Sequence, residues 1–161
     1  MKKSNNIFHS LFLGLGSNLG NKEENIEYAL NKIEEQIGDV VSLSALYFSK
    51  PVGFQSNNQF INCAAIISTT LLPGKILSIT QEIEIEMGRT EKSLNKEYKD
   101  RIIDIDILFY DQEVMEQAPT LVIPHPHLHE REFVLKPLSE IAPCFIHPVL
   151  KKTVQQLLDS F

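Results

Sequence analysis

Two aspartates set two residues apart, Asp104 and Asp106 in the run RIIDIDILFY, are the residues of this chain whose type and spacing point most directly to chemistry. Ile103, Ile105, Ile107 and Phe109 alternate with them, which predicts a β-strand with one buried face. Ile102, Asp104, Asp106, Leu108 and Tyr110 then share the opposite face. Carboxylates at i and i+2 of one strand face lie ~7 Å apart at Cα, close enough for their charges to repel. They can simply face water. They can instead hold a pair of Mg²⁺ ions ~3.5–4 Å apart, the arrangement that clamps attacking and leaving oxygens in phosphoryl transfer. Arg89, Lys92, Lys96, Lys99 and Arg101 crowd the approach to the strand and are placed to hold phosphate oxygens in the second case.

Other polar residues carry a weaker signal. Gln81 and Glu84 are three apart and share a face of a predicted helix, with Arg89 just beyond its end. Asn62 sits in the apolar run FINCAA, and a buried amide must find partners. Backbone or the edge of a flat heterocycle would serve equally. HPHLHE supplies His125, His127 and His129, but prolines and the lack of a matching cysteine or distant histidine cluster disfavour zinc and favour surface positions. GLGSNLG has Leu19 where the dinucleotide fingerprint needs its third glycine, so a tight turn explains it better. A phosphate-cradling G-x-x-x-x-G-K-[ST] run is absent.

The elements that must position these residues follow from periodicity. Residues 7–15 read as a buried strand. Asn21 with Glu24 three residues on starts a helix that ends at Gly38. Val41, Leu43, Ala45 and Tyr47 alternate with serines as a second strand, and Phe60 to Thr69 forms a third. Pro73 opens a second helix with an inner face of Ile76, Thr80, Ile83 and Met87, closed by Gly88. The aspartate strand comes next, then a proline-containing hairpin and two short helices. The order β-α-β-β-α-β predicts a ferredoxin-like α+β fold: a four-stranded antiparallel sheet with two helices on one face and the other face open to loops or a ligand. That topology hosts many functions.

The chain has 161 residues, one ordinary domain, with 43% hydrophobic and 22% charged residues. A net charge of −6 argues against nucleic-acid or membrane partners. Cys63 and Cys144 stand in apolar surroundings and read as reduced, packed thiols of a cytoplasmic protein. The N-terminal MKKSNNIFHSLFLGLG lacks a cleavage site, and no stretch approaches a membrane span.

Taken together, LGLGSNLGNKEENI, FINCAA, TQEIEIEMGR, RIIDIDILFY and VIPHPHLHEREFVLKPLSEIAP resemble the 6-hydroxymethyl-7,8-dihydropterin pyrophosphokinase family over nearly the whole chain. The resemblance implies a monomeric folate-pathway enzyme that moves the β,γ-diphosphate of ATP onto the hydroxymethyl group of the dihydropterin and releases AMP, with two Mg²⁺ and ATP as co-substrate. It implies Asp104 and Asp106 as metal ligands, with Arg89 and Arg101 on the phosphates. Gln81, Glu84, Lys92, Ile107, His125 and Arg131 match the nucleotide site. Asn62 would read the pterin edge, Phe60 and Phe133 would sandwich its ring, and Ser49, Lys50 and Val52 would meet it through a loop. Lys99-Asp100, Glu91 and Pro126 depart from the family pattern. The segments 49–58 and 90–99 are expected to close over bound substrates. The competing readings are another metal-dependent nucleotidyl or phosphoryl transferase, and a metal-free regulatory domain of the same topology.

Overall fold

The computed structural model describes residues 7–49, 59–88, 101–117 and 120–161. Arg89, Lys92, Lys50 and Val52 lie outside the described residues, as do the departures at 91 and 99–100 and nearly all of the two segments expected to close.

Strand β1 spans His9–Ser17, helix α1 Lys22–Gln36 and strand β2 Gly38–Leu43. Strand β3, Tyr47–Ser49, and β4, Phe60–Thr69, follow, then helix α2 over Pro73–Glu86 and β5 over Asp104–Tyr110. The sheet runs β2-β4-β1-β5, with β3 pairing to β4, and all pairings are antiparallel. This is the ferredoxin-like arrangement expected from the order of the elements. A hairpin of β6, Met115–Gln117, and β7, Leu121–Ile123, comes next. Helices α3, Glu132–Ile141, and α4, Val154–Asp159, complete the chain.

Local chemistry explains the boundaries. The Asn21 side chain accepts the Glu24 N–H at 3.2 Å and so caps α1. Pro73 stands in the first turn of α2, where its missing N–H costs nothing. Gly88 ends that helix with φ 108°, a value that favours glycine. Ile26, Ala29 and Ile33 of α1 and Ile76, Ile79 and Ile83 of α2 are buried against Leu11, Leu13, Leu15, Ile61, Ala65, Ile67, Ile103, Ile105 and Ile107 of the sheet and the stretch leading into β5. This is the main core, and it draws one alternate set of residues from each strand.

Four expectations need correction. The second strand does not run unbroken to Tyr47. Ser44 interrupts it, because its hydroxyl oxygen accepts the Ala64 N–H and takes over a ladder position. Phe109 and Tyr110 exchange faces: Phe12 pairs with Phe109 and Leu13 with Ile107, which leaves Leu108 as a bulge. Tyr110 therefore joins the main core, and Phe109 the opposite side. The second sheet face is not wholly open, since α3 and α4 pack Leu135, Leu138, Val154 and Leu157 onto Phe12, Ala64, Leu108 and Phe109. Finally, Cys63 is buried, but Cys144 is exposed.

Candidate active site

The uncovered half of that second face carries the residues singled out from the sequence. Asp104 pairs with Gly16 and Asp106 with Gly14 across the β1–β5 ladder. Gly16 in turn pairs with Asn62 of β4. Gly14 and Gly16 both belong to β1, and the turn expected in this stretch follows Ser17, with Gly20 at φ 69°; Gly16 lies between Asp104 and the Asn62 amide. A Cβ on Gly16 would come within 2.8 Å of Asn62 Oδ1, so the close approach requires glycine.

A cleft rises from this floor, lined by Gly14, Gly16, Ser49, Phe60, Asn62, Arg101, Asp104, Asp106, Arg131 and Phe133 among others. Phe60 and Phe133 bring aromatic surface to the same cavity as Asn62. The buried Asn62 amide donates from Nδ2 to Ser49 Oγ at 2.7 Å. The Arg131 guanidinium lies 6.0 Å from the Phe133 ring centroid, in reach of a cation–π contact.

A second cavity lies beyond Asp106, lined by Leu77, Ile105, Asp106, Ile107, Thr120, Leu121, Val122, His125 and Pro126. Among the described residues, Asp106 is the one that lines both cavities. His125 and Ile107, both expected near nucleotide, face this second space. His125 is half-buried rather than a surface residue, and its Nδ1 accepts the His127 N–H at 3.1 Å. Burial, aided by the Arg131 charge, pushes the His125 imidazole down to about 4, so it stays neutral near pH 7 and keeps Nε2 as a donor. Leu77, Thr120 and Val122 were not expected here. They come from α2 and the β6–β7 hairpin and carry no local motif, so only the tertiary fold could have found them.

Asp104 is held by a specific partner. Arg101 Nη1 donates to Asp104 Oδ1 at 2.9 Å, and the Arg101 side chain is only 15% exposed. Arg101 is fixed by its backbone, which exchanges hydrogen bonds with Asn18 at both N–H and C=O. Asn18 is fully buried, and its place in GSNLG gave no hint of that duty. Glu84 is buried and accepts the Ile105 N–H at 2.9 Å on the free edge of β5. It therefore braces the strand between the two aspartates. Gln81 is half-buried one turn earlier on α2.

Burial pushes the Asp106 carboxyl well above the usual range, and the charges of Asp104 and Glu84 push the same way. Arg131 and Arg101 oppose the shift without cancelling it. The site thus stores a like-charge conflict that a bound cation would relieve. Its donors are hard carboxylate oxygens, which suit Mg²⁺. Among the described residues no group of three or more histidine, cysteine, aspartate or glutamate side chains is arranged to hold a metal. A cation on the two aspartates would then complete its shell from water and phosphate, as Mg²⁺ commonly does.

Comparison with known proteins identifies the family. Residues 12–143 match the family model for 7,8-dihydro-6-hydroxymethylpterin-pyrophosphokinase. The chain is 43% identical over 138 residues to 2-amino-4-hydroxy-6-hydroxymethyldihydropteridine pyrophosphokinase of Porphyromonas gingivalis, covering 86% of this chain and 93% of that protein. It is 42% identical over 153 residues to the folic acid synthesis protein FOL1 of Dictyostelium discoideum, covering 95% of this chain but 22% of that longer one. The crystal structure of wild-type Plasmodium falciparum HPPK-DHPS with pteroate superposes with a TM-score of 0.80 at 17% identity, over 98% of this chain and 45% of the larger one, and so shares the fold. An acid pair on a glycine floor between two cavities is here joined to sequence identity over most of the chain, and the protein belongs to the 7,8-dihydro-6-hydroxymethylpterin-pyrophosphokinase family of folate biosynthesis.

Proposed function

We propose that the protein transfers the β,γ-diphosphate of ATP to the hydroxymethyl group of 6-hydroxymethyl-7,8-dihydropterin and releases AMP, using two Mg²⁺ ions on Asp104 and Asp106. The observation that carries the reading is that Asp106 borders both cavities, so ligands filling them would meet at its carboxylate. The pterin occupies the cavity of Phe60, Phe133 and Asn62. Its ring lies between apolar faces, and its polar edge meets the amide that Ser49 orients. The adenosine end of ATP occupies the cavity of Leu77, Ile107, Thr120, Val122 and His125, where the neutral imidazole offers a hydrogen bond without adding charge. Gln81 is half-buried on α2, and the resemblance adds Arg89 and Lys92 to the residues that meet ATP and Lys50 and Val52 to those that meet the pterin.

The hydroxymethyl oxygen attacks the β-phosphorus while the bond from that phosphorus to the oxygen of the α-phosphate breaks. AMP leaves with the electron pair, and the hydroxyl proton passes to solvent. Such transfers depend on positioning and charge neutralisation more than on covalent help from the protein. Mg²⁺ held by Asp104 and Asp106 would neutralise the polyphosphate and help align it with the attacking hydroxyl. Arg101 and Arg131 border the path of the transferred group and supply fixed positive charge. Glu84 and Asn18 act behind them, holding the Asp strand and the Arg101 backbone.

One assay tests the reading. Protein, Mg²⁺, ATP and the dihydropterin should give AMP at a rate that depends on both the pterin and the metal. ADP as product, or turnover indifferent to pterin, would contradict it and favour a different phosphoryl transferase.

A further inference from the structure

Behind the pterin cavity stands a carboxylate that the chemistry above does not use. Glu140 lies near the C-terminal end of α3, seven residues after Phe133. Seven residues are nearly two full turns, so the two side chains share a face of the helix roughly 10 Å apart along its axis. Glu140 Oε1 accepts a hydrogen bond of 2.6 Å from the Tyr47 hydroxyl. The same carboxylate takes the Ala45 N–H, at 3.3 Å to Oε1 and 3.1 Å to Oε2. Both donors sit at or just after the break that Ser44 makes between β2 and β3.

Strand β3 is only three residues long, too short to be well fixed by its ladder alone. Yet it carries one edge of the cavity. Tyr47 pairs with Asn62 and Ser49 with Phe60. By the pleat, Tyr47, Ser49, Phe60 and Asn62 all face the site side, and Ser49 Oγ accepts from the Asn62 amide at 2.7 Å. The bond to Glu140 also raises the Tyr47 phenol above its ordinary pKa. α3 thus grips β3 at one end through Glu140 and presents Phe133 to the cavity at the other.

We propose that Glu140 is a positioning residue of the pterin site: it latches β3 to α3 and so fixes Ser49 and the Asn62 amide opposite Phe133. The inference rests on the reading that this cavity takes the pterin. Glu140 itself touches no reacting atom.

The test uses the full chain as wild type, Glu140→Ala, Glu140→Gln, Tyr47→Phe and the double variant Tyr47→Phe/Glu140→Ala, with kcat, KM for pterin, KM for ATP and Tm measured on each. Glu140→Ala should raise the pterin KM by about fivefold to tenfold, the size expected for losing a charge-assisted hydrogen bond at a partly wet site. The KM for ATP and kcat should stay within about twofold of wild type, and Tm should barely move, as expected for an exposed residue. Glu140→Gln keeps an acceptor oxygen and should recover most of the loss. Tyr47→Phe should act in the same direction and add little to Glu140→Ala in the double variant. An unchanged pterin KM overturns the proposal, and so does a parallel rise of both KM values with a fallen Tm. A wild-type protein that binds no pterin beside an ATP analogue would instead overturn the assignment of the cavity. Normal pterin binding by wild type with no effect of Glu140→Ala would overturn the latch alone.

Discussion

One face of one sheet is used in two opposite ways. At one end β1, β4 and β5 present Phe12, Ala64, Leu108 and Phe109, and α3 and α4 cover them with Leu135, Leu138, Val154 and Leu157. A few residues along, the same pleat presents Gly14 and Gly16, Phe60 and Asn62, and Asp104 and Asp106 to a cleft. Backbone and hydrogen-bond ladder continue through both ends. What changes is side-chain volume and charge. Apolar bulk at the covered end drives helices onto the sheet, whereas glycines, an amide and carboxyl groups at the other end give a helix nothing to bury against. The active half is a region where the same strands are denied a core.

The largest expected effect separates the two ends by activity. Asp106→Ala should cut turnover ~10³-fold or more, because neutralisation of the polyphosphate is lost. It should leave stability equal or higher, because a carboxyl pushed up by burial and by Asp104 no longer has to ionise in the fold. A clear fall in Tm would show that the acid end is structural after all.

The converse variant is Leu135→Ala, which removes a side chain with no solvent exposure from the covered end. It should cost about 2–5 kcal/mol by denaturant titration. Turnover per folded molecule should stay close to wild type. A large loss of kcat at full folding would mean that the two ends are coupled.

pH sharpens the contrast through His125. Its folded value is lowered to about 4 from an ordinary 6.5, so the unfolded chain binds the proton more readily between those limits. Stability is fully present above about pH 6.5 and falls as pH drops through the window, by up to about 3 kcal/mol from this residue. His125→Gln should flatten that part of the profile when unfolding is measured from pH 7 to pH 4 without metal. A profile as steep as wild type would place the loss elsewhere.

Gly16→Ala has the smallest expected effect and the sharpest address. Its Cβ would meet Asn62 Oδ1 at 2.8 Å. Displacing that amide should weaken pterin binding by about tenfold, equivalent to ~1.4 kcal/mol, while ATP binding holds. Equal losses for both ligands would mean that the glycine supports the ladder rather than the pocket.

Much of this division could be read in the sequence, and what could not follows a pattern. The Phe60 to Thr69 strand, the Asn21 cap and the Pro73 start were legible because each is written in neighbouring residues. The acids' shared face was legible from alternation. The break at Ser44 was not, because alternation ran on through it while a side chain replaced the backbone in the ladder. The cover over Phe12 and Phe109 depends on helices that follow in the last quarter of the chain. Leu77, Thr120 and Val122 meet only after the hairpin folds beside α2. Asn18 and Glu84 act on backbone groups 83 and 21 residues away in sequence, a distance that local pattern does not reach.

The bulge at Leu108 makes the strand's tolerance of shortening unequal along its length. Omitting Ile105 or Asp106 would turn the remaining upstream positions over, sending Asp104 toward the main core and an isoleucine toward the cleft. Omitting Leu108 would restore a plain ladder, with Ile107 still opposite Leu13 and Phe109 still opposite Phe12, at the expense of one packed side chain. A single-codon deletion scan should therefore find Ile105 and Asp106 intolerant and the adjacent pair Ile107 and Leu108 survivable, where the chain already holds a spare residue.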